Sequence, residues 1–313
     1  MYQFIKQTAL AAGFDACGIS PAAELVADRK FMENWLSAGQ QAGMTYLERN
    51  LEKRTNPALL VDGCKTVVVV LLNYFPGKKW PAKKYKIARY AFSAIDYHDV
   101  MKRKLSLLEN EITRKYGKEC VSATGQHAFV DSAPVLERAW ARKAGLGWIG
   151  RHTQLISPRF GSYCFIGELF LNVELPCSDE PLPDRCGHCT RCIDACPTQA
   201  LDLKKGLDAR KCISYQTIEN KDPVEPEIRS RLSGYIAGCD ICAEVCPWNI
   251  KLAKYHHHVG LSAANDFDEW SDDFWEKLDK ATYRRLFAHS ALSRIKFEKL
   301  KGNISFLNGT KEV

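Results

Sequence analysis

The chain has no apolar run near the ~18 residues that a membrane-spanning helix needs. Its longest, Val67–Leu72, suits one buried strand. The first residues show no secretory leader. With 13 cysteines in the composition, that argues against a disulfide framework and for a reducing compartment, so a cytoplasmic protein with no membrane partner is expected. A radical-SAM site is excluded, because it needs C-x3-C-x2-C. After Cys192 and Cys196 the required third position is Gln199, and after Cys242 and Cys246 it is Asn249. A dinucleotide fold is excluded as well. Gly145-Leu-Gly147-Trp-Ile-Gly150 has the letters of GxGxxG, but a helical pattern precedes it and a strand pattern follows, the reverse of what a Rossmann turn requires. Gly145 fits better as a left-handed helix C-cap.

What the chain does have is cysteine in a particular order. Cys186-Gly-His-Cys189-Thr-Arg-Cys192-Ile-Asp-Ala-Cys196-Pro197 is a C-x2-C-x2-C-x3-C-P run. Cys239-Asp-Ile-Cys242-Ala-Glu-Val-Cys246-Pro247 repeats it with Ile236 in place of the first cysteine, and Cys212 can fill that vacancy. Two-residue gaps wrap a loop around a [4Fe–4S] cube, while the cysteine after a three-residue gap ligates the other cube. The spacing therefore predicts two clusters with crossed ligands. One takes Cys186, Cys189, Cys192 and Cys246; the other takes Cys196, Cys212, Cys239 and Cys242. Zinc favours two CxxC pairs on either side of a spacer and suits this run poorly. Such a protein moves electrons.

At 313 residues with 46% hydrophobic content, the chain can bury a substantial core and is expected to hold more than one domain. The pattern predicts helix over 1–47 broken at Gly39 and Gly43, then a strand at Val67–Leu72. A helix follows through Val100, Leu105, Leu108 and Ile112 to Gly117, then a short strand at 128–130. Residues 133–144 form a helix opened by Ser132 and Pro134, and strands follow at 155–156 and 163–171. A proline-rich, acidic stretch at 176–184 leads into the cysteine blocks, and the chain beyond Asn249 is mostly helical. The fold class is α+β: a core over 1–175, a ferredoxin-like two-cluster domain over 176–250, and a short helical region over 251–313.

Charge is uneven. Residues 78–118 carry twelve Lys/Arg against four Asp/Glu, and residues 281–301 carry six against one. Both stretches interleave aromatics: Trp80, Tyr85, Tyr90, Phe92 and Tyr97 in the first, Tyr283, Phe287 and Phe297 in the second. That pattern suits a nucleic-acid partner and equally a solvated basic face. Asp96-Tyr-His98-Asp-Val-Met101 nearly matches the cobalt-ligating DxHxxG pattern, but Asp96 also serves as a plain helix cap. Asp131, between a strand and a helix start, reads either as a cap or as a general acid. Cys17, Cys64, Cys120, Cys164 and Cys177 have no metal spacing and read as small buried hydrophobes. His256, His257 and His258 read as a polar linker.

Several segments together resemble the epoxyqueuosine reductase family. They are Phe129-Val-Asp131-Ser-Ala-Pro-Val-Leu-Glu137-Arg138 through Gly150; Arg89-Tyr90 with Asp96-Tyr-His98; Gly161-Ser and Gly167-Glu168; Cys212 through Glu219; and Cys246-Pro-Trp-Asn249. The arrangement is distantly similar to reductive dehalogenases. The resemblance implies a nitroreductase-like cobalamin-binding core and two [4Fe–4S] clusters. It implies reduction of epoxyqueuosine to queuosine in the tRNA anticodon loop, the last step of queuosine biosynthesis. A low-potential donor such as a flavodoxin or ferredoxin would feed the clusters, and the second cluster would face the cobalamin. Asp131 would be the proton donor, its pKa raised by burial beside the corrin. Arg54, Thr153, Gln154, Ser214, Tyr215 and Asp240 would join Asp131 around the corrin, and Arg89 and His98 would approach the substrate. Many family members continue into helical repeats that hold tRNA, which this chain lacks after Phe306. Two other readings stay open: a cobalamin-dependent reductase of a small molecule, and a plain iron–sulfur electron carrier.

Overall fold

A computed structural model describes residues 1–121, 127–176, 179–204 and 206–308. Cys177 lies outside the described residues. The centre of the core is a four-stranded antiparallel sheet of β1 (Ala16–Pro21), β2 (Thr66–Asn73), β3 (Ala128–Phe129) and β4 (Cys164–Leu171), in the order β1-β2-β4-β3. The Val67–Leu72 run explains why the sheet is buried on both faces. Side chains alternate along a strand. Val68, Val70 and Leu72 therefore pack on one side with Ile5, Ala9, Met101, Leu105 and Leu108. Val67, Val69 and Leu71 pack on the other with Ala139, Trp140 and Ala141. All six residues of the run are fully buried, each contributing about 1.5–3 kcal/mol of apolar burial.

The first face is covered by helices Tyr2–Ala11 and Tyr97–Tyr116. The second of these starts at Asp96, whose carboxylate accepts the His98 N–H, and stops at Gly117 with φ 90°. The other face is covered by helix Glu137–Lys143. It is shorter than the 133–144 expected, and Asp131 does not cap it; the N-cap is Leu136. Pro134 disfavours helical geometry in the residue before it, and Asp131 itself has φ 55°, so 131–136 forms a turn instead. Gly145 follows with φ 70° and leads into strand Trp148–Ile149, as a C-cap should. The expectation of helix across 1–47 missed β1, because Ala16-Cys-Gly-Ile-Ser-Pro is stabilised by pairing with Thr66–Leu71 rather than by its own pattern.

A second apolar core lies away from the sheet. It gathers Tyr85, Ile87, Ala91 and Phe92, then Ile236 and Ala237, then Phe267, Trp270, Trp275, Tyr283 and Phe287 from the helical region. Strand Lys86–Ile87 pairs in parallel with Tyr235–Ala237, so the chain between β2 and the Tyr97–Tyr116 helix is tied to the cysteine-rich segment. The two basic stretches converge here, and four of their eight aromatics are withdrawn from any stacking role. Tyr85, Phe92, Tyr283 and Phe287 are buried core, which corrects the nucleic-acid reading of those rings and leaves the exposed cations as candidates for a charged partner. No helix among the described residues is long and apolar enough to cross a membrane.

Candidate active site and cluster centres

The cysteine blocks fold into two similar turns, each a loop followed by one short helix, Arg191–Asp194 and Ile241–Glu244. Pro247 then sits at the first position of helix Pro247–Leu252, where its missing N–H costs nothing. Cys186, Cys189, Cys192 and Cys246 together line one cavity, with Arg151, His152, Pro247 and Trp248. That is the first crossed set. In the second, Cys196 acts electrostatically on Cys212, Cys212 on Cys239, and both Cys212 and Cys196 on Cys242. Cys192 also acts on Cys242, so the two cages adjoin. Ile236, where a cysteine is missing, is fully buried in the second core, and Cys212 reaches the site from the N-cap of helix Ile213–Ile218. Among the described residues no three His, Cys, Asp or Glu stand close enough to hold a single metal ion. Of the leftover cysteines, Cys17, Cys64 and Cys120 are buried as expected, and Cys164 is half-buried.

Asp131 leaves the end of β3 and meets His98 from the first turn of the long helix. His98 Nε2 lies 3.1 Å from Asp131 Oδ2, and His98 Nδ1 lies 2.7 Å from Asp96 Oδ1. Arg294 reaches the outer oxygen of Asp96 at 3.4 Å. Burial disfavours a charged His98, but the hydrogen bonds to Asp131 and Asp96 outweigh it, and its pKa is raised. The His98 hydrogen bond in turn holds Asp131 below the usual carboxylate range, against the effect of burial. This reverses the expectation of a raised Asp131. His98 is only 2% exposed, whereas Asp131 is 53% exposed. His98 therefore stands behind Asp131, and Asp96 caps the helix and holds the imidazole.

The carboxyls that are raised lie beside Asp131 and were missed. Glu137 is pushed up to about 7 by burial and by the charge of Asp131, and Glu168 is pushed well above its usual range by burial. A glutamate inside the apolar strand Phe165–Leu171 was the available signal, since a buried charge is costly unless paired.

The other predicted residues surround this centre at different ranges. Tyr90 feels the charges of both Asp240 and Asp131, so both aspartates lie within electrostatic reach of it. Asp240 follows Cys239 and accepts the Arg89 backbone N–H at 2.8 Å and its guanidinium at 3.2 Å. Burial raises Asp240 to about 6 despite that pairing. Arg54 donates to the Tyr46 carbonyl at 3.0 Å, and Tyr46 also feels Asp131. The Tyr215 hydroxyl accepts the Gly43 N–H at 2.9 Å. Thr153 has φ 64°, and its carbonyl accepts from Arg138 at 2.6 Å. Gln154 and Ser214 make no side-chain contact with Asp131 or His98; the Gln154 carbonyl accepts the Gly150 N–H, and the Ser214 carbonyl accepts from Thr217. Arg89 also lines a separate cleft of about 900 Å³ with Asp15, Glu244, Asn249 and His256–His258. There His258 pairs with Asp15 at 2.8 Å.

Comparison with known proteins decides among the open readings. Residues 54–132 match the family model described as "Epoxyqueuosine reductase QueG, DUF1730". Residues 185–249 match a "4Fe-4S double cluster binding domain". A curated epoxyqueuosine reductase of Cellulophaga algicola is 42% identical over 97% of this chain and 96% of its own length. One from Leadbetterella byssophila is 43% identical over 97% of each. This chain belongs to the epoxyqueuosine reductase family. It is an oxidoreductase, and its cysteine-rich segment is a double [4Fe–4S] domain. Among solved structures, an epoxyqueuosine reductase crystallised with an epoxyqueuosine-modified tRNA-Tyr stem loop superposes with a TM-score of 0.83 at 27% identity, over 98% of this chain and 79% of that one.

Proposed function

We propose that this epoxyqueuosine reductase converts epoxyqueuosine in the tRNA anticodon loop to queuosine, using two clusters that feed a cobalamin beside Asp131. The observation that carries the reading is a proton-holding Asp131–His98 pair, with Tyr90 in electrostatic reach of both Asp131 and Asp240, the neighbour of Cys239. A plain electron carrier has no use for such a pair. Cys186, Cys189, Cys192 and Cys246 hold one cluster, and Cys196, Cys212, Cys239 and Cys242 hold the other, nearer the cobalamin. Residues 1–175 form the nitroreductase-like catalytic core, 176–250 the cluster domain and 251–313 the helical region. The electron donor is a low-potential flavodoxin or ferredoxin, and the setting is the cytoplasm.

One observation at Thr153 supports a cobalamin beside these residues. Thr153 Oγ1 is buried with no hydrogen-bond partner among the described residues, on a backbone held at positive φ. Such a group normally finds a partner, and strained backbone concentrates at ligand sites. Thr153, Gln154, Arg54, Ser214, Tyr215, Asp240 and Asp131 would hold the corrin. When bound and reduced, cobalamin supplies a strong nucleophile and the electrons for opening the epoxide. The chain's own residues handle protons. Protonated His98 keeps a proton one hydrogen bond from Asp131, whose half-exposed carboxyl would relay it to the oxygen released from the ring. Asp96 and Arg294 fix the imidazole in place.

The test is anaerobic reconstitution with iron, sulfide and cobalamin, followed by reaction with epoxyqueuosine-containing tRNA and a reductant. Conversion to queuosine is expected. A protein with both clusters that binds no cobalamin and leaves the tRNA unchanged would refute the proposal.

A further inference from the structure

Two carboxyls not used above lie beneath Asp131. Glu168 sits in β4, between Val69 of β2 and Phe129 of β3. It is fully buried, and neither carboxyl oxygen has a hydrogen-bond partner among the described residues. An ionised carboxylate there would cost several kcal/mol, so Glu168 is held as the neutral acid. Glu137 opens helix Glu137–Lys143, which packs on β4, and its Oε1 accepts the Asp131 backbone N–H. The charge of Glu137 acts on Glu168, and that of Asp131 acts on both. The other charged groups that face the pair are Arg138 and His98.

The reaction itself sets how many protons are needed. Turning an epoxide into an alkene breaks both C–O bonds, forms one C=C bond and releases water. It consumes two electrons, which the reductant supplies, and two protons. The Asp131–His98 pair accounts for one of them. We infer that Glu137, seated over neutral Glu168, holds the second proton and returns it to Asp131 after Asp131 has protonated the substrate oxygen. This rests on the epoxide-reducing reading above. In the first transfer the His98 N–H breaks, its proton passes to Asp131 and on to the substrate, and a substrate O–H forms. In the second the Glu137 O–H breaks and the Asp131 O–H re-forms, ready to convert the hydroxyl into water. Solvent reloads Glu137 between turnovers. Glu168 keeps its proton throughout: as a neutral acid it puts no second negative charge near the Glu137 carboxylate left behind, and so lowers the cost of the transfer. Both glutamates act through Asp131 and are positioning residues. The direction of their shifts agrees, since Glu137 titrates near neutrality and Glu168 stays protonated.

The experiment has two readings. Infrared spectroscopy of the full cluster-loaded chain at neutral pH should show a protonated-carboxyl carbonyl band that shifts in D2O and is lost in Glu168→Gln. Single-turnover reduction with bound cobalamin should slow about 10²-fold in Glu137→Gln, the scale of general-acid catalysis, while Asp131 keeps its backbone acceptor in the glutamine amide. Acetate or imidazole should restore the rate. The wild-type rate should fall as pH rises through about 7, a limb that Glu137→Gln should lack. Absence of the infrared band, or a Glu137→Gln rate and pH profile like wild type, overturns the inference and leaves the function standing. A wild type that does not reduce the epoxide overturns the function, and the infrared band is read without substrate, so the two failures are distinct.

Discussion

The Nε2 of His98 stands 3.1 Å from Oδ2 of Asp131, and this contact holds the carboxyl low while it raises the imidazole. An aspartate alone at the end of a strand would be ionised at neutral pH with no proton to give. An imidazole held between Asp131 and Asp96 stays charged further up the pH scale and keeps a proton within one hydrogen bond of the exposed carboxyl. The functional part of Asp131 is thus inseparable from its buried neighbour.

Replacing Asp131 by Asn keeps the shape of the site and removes the acid. Turnover should fall by about 10²–10⁴-fold, with both clusters and cobalamin binding retained, as read from visible and EPR spectra. Wild-type turnover in Asp131→Asn would remove Asp131 from the mechanism.

The same contact makes stability depend on pH. The folded pKa of His98 is raised above 6.5, so its contribution is fully present below that value and is lost as pH rises through the folded pKa. Asp96 is lowered from 3.8 to about 2, burial being outweighed by its bonds to His98. Its contribution is present above 3.8 and is lost as pH falls toward 2. The chain of charges is therefore strongest between about 3.8 and 6.5. The difference in melting temperature between wild type and His98→Gln should be largest near pH 6 and shrink toward pH 9. A difference that does not change with pH would mean that His98 is not charged in the folded protein.

Crossed ligation is tested by cysteines that are close in sequence but serve different cages. Cys192→Ala and Cys246→Ala should disturb the same cluster, although 54 positions separate them. Cys196→Ala, four residues after Cys192, should instead share its EPR signature with Cys212→Ala. If Cys192→Ala and Cys196→Ala remove the same EPR signal, each loop holds its own cluster.

What the sequence disclosed follows from how local each signal is. The cysteine gaps fix loop geometry within a dozen residues, so a double-cluster domain was legible, and Cys186, Cys189, Cys192 and Cys246 do meet in one cavity. The unbroken apolar run Val67–Leu72 and the spacing of Val100, Leu105, Leu108 and Ile112 were equally local. β1 was missed because its partner lies about 50 residues away, and the strand order for the same reason. Asp131 was legible only through resemblance. Its true partners, His98 Nε2 and the Glu137–Glu168 pair, come from three different elements, and no spacing rule relates them. The basic stretches misled in one respect: rings spaced among lysines look the same in sequence whether they stack on bases or fill a core.

Asn249 joins the core to the cluster domain. Its Oδ1 accepts the Ser162 N–H at 2.7 Å, and its Nδ2 donates to the Ala243 carbonyl at 2.8 Å. Gly161 leaves room for it: a Cβ there would lie 2.3 Å from Oδ1, and its φ is 69°. Asn249→Ala should leave two polar groups unpaired at about 1–3 kcal/mol each. Chemical denaturation should show the loss, with Gly161→Ala destabilised as well. A neutral Asn249→Ala would mean that the two parts are held together by other contacts.

Removal of the rings from the nucleic-acid reading leaves the cations of the same helix to carry it. On helix Lys280–Phe287, Tyr283 and Phe287 face inward while Arg284 and Arg285 point outward. The helical period separates the two roles. Phe287→Ala should act on the fold, costing about 3–5 kcal/mol, and should affect tRNA only through unfolding. Arg284→Glu with Arg285→Glu should leave the melting temperature nearly unchanged and weaken tRNA binding across sequences. For every phosphate that the variant no longer neutralises, the slope of log affinity against log salt should fall by roughly 0.7–0.9. An unchanged slope would place the tRNA-binding face elsewhere, with the basic residues of 78–118 the next to test.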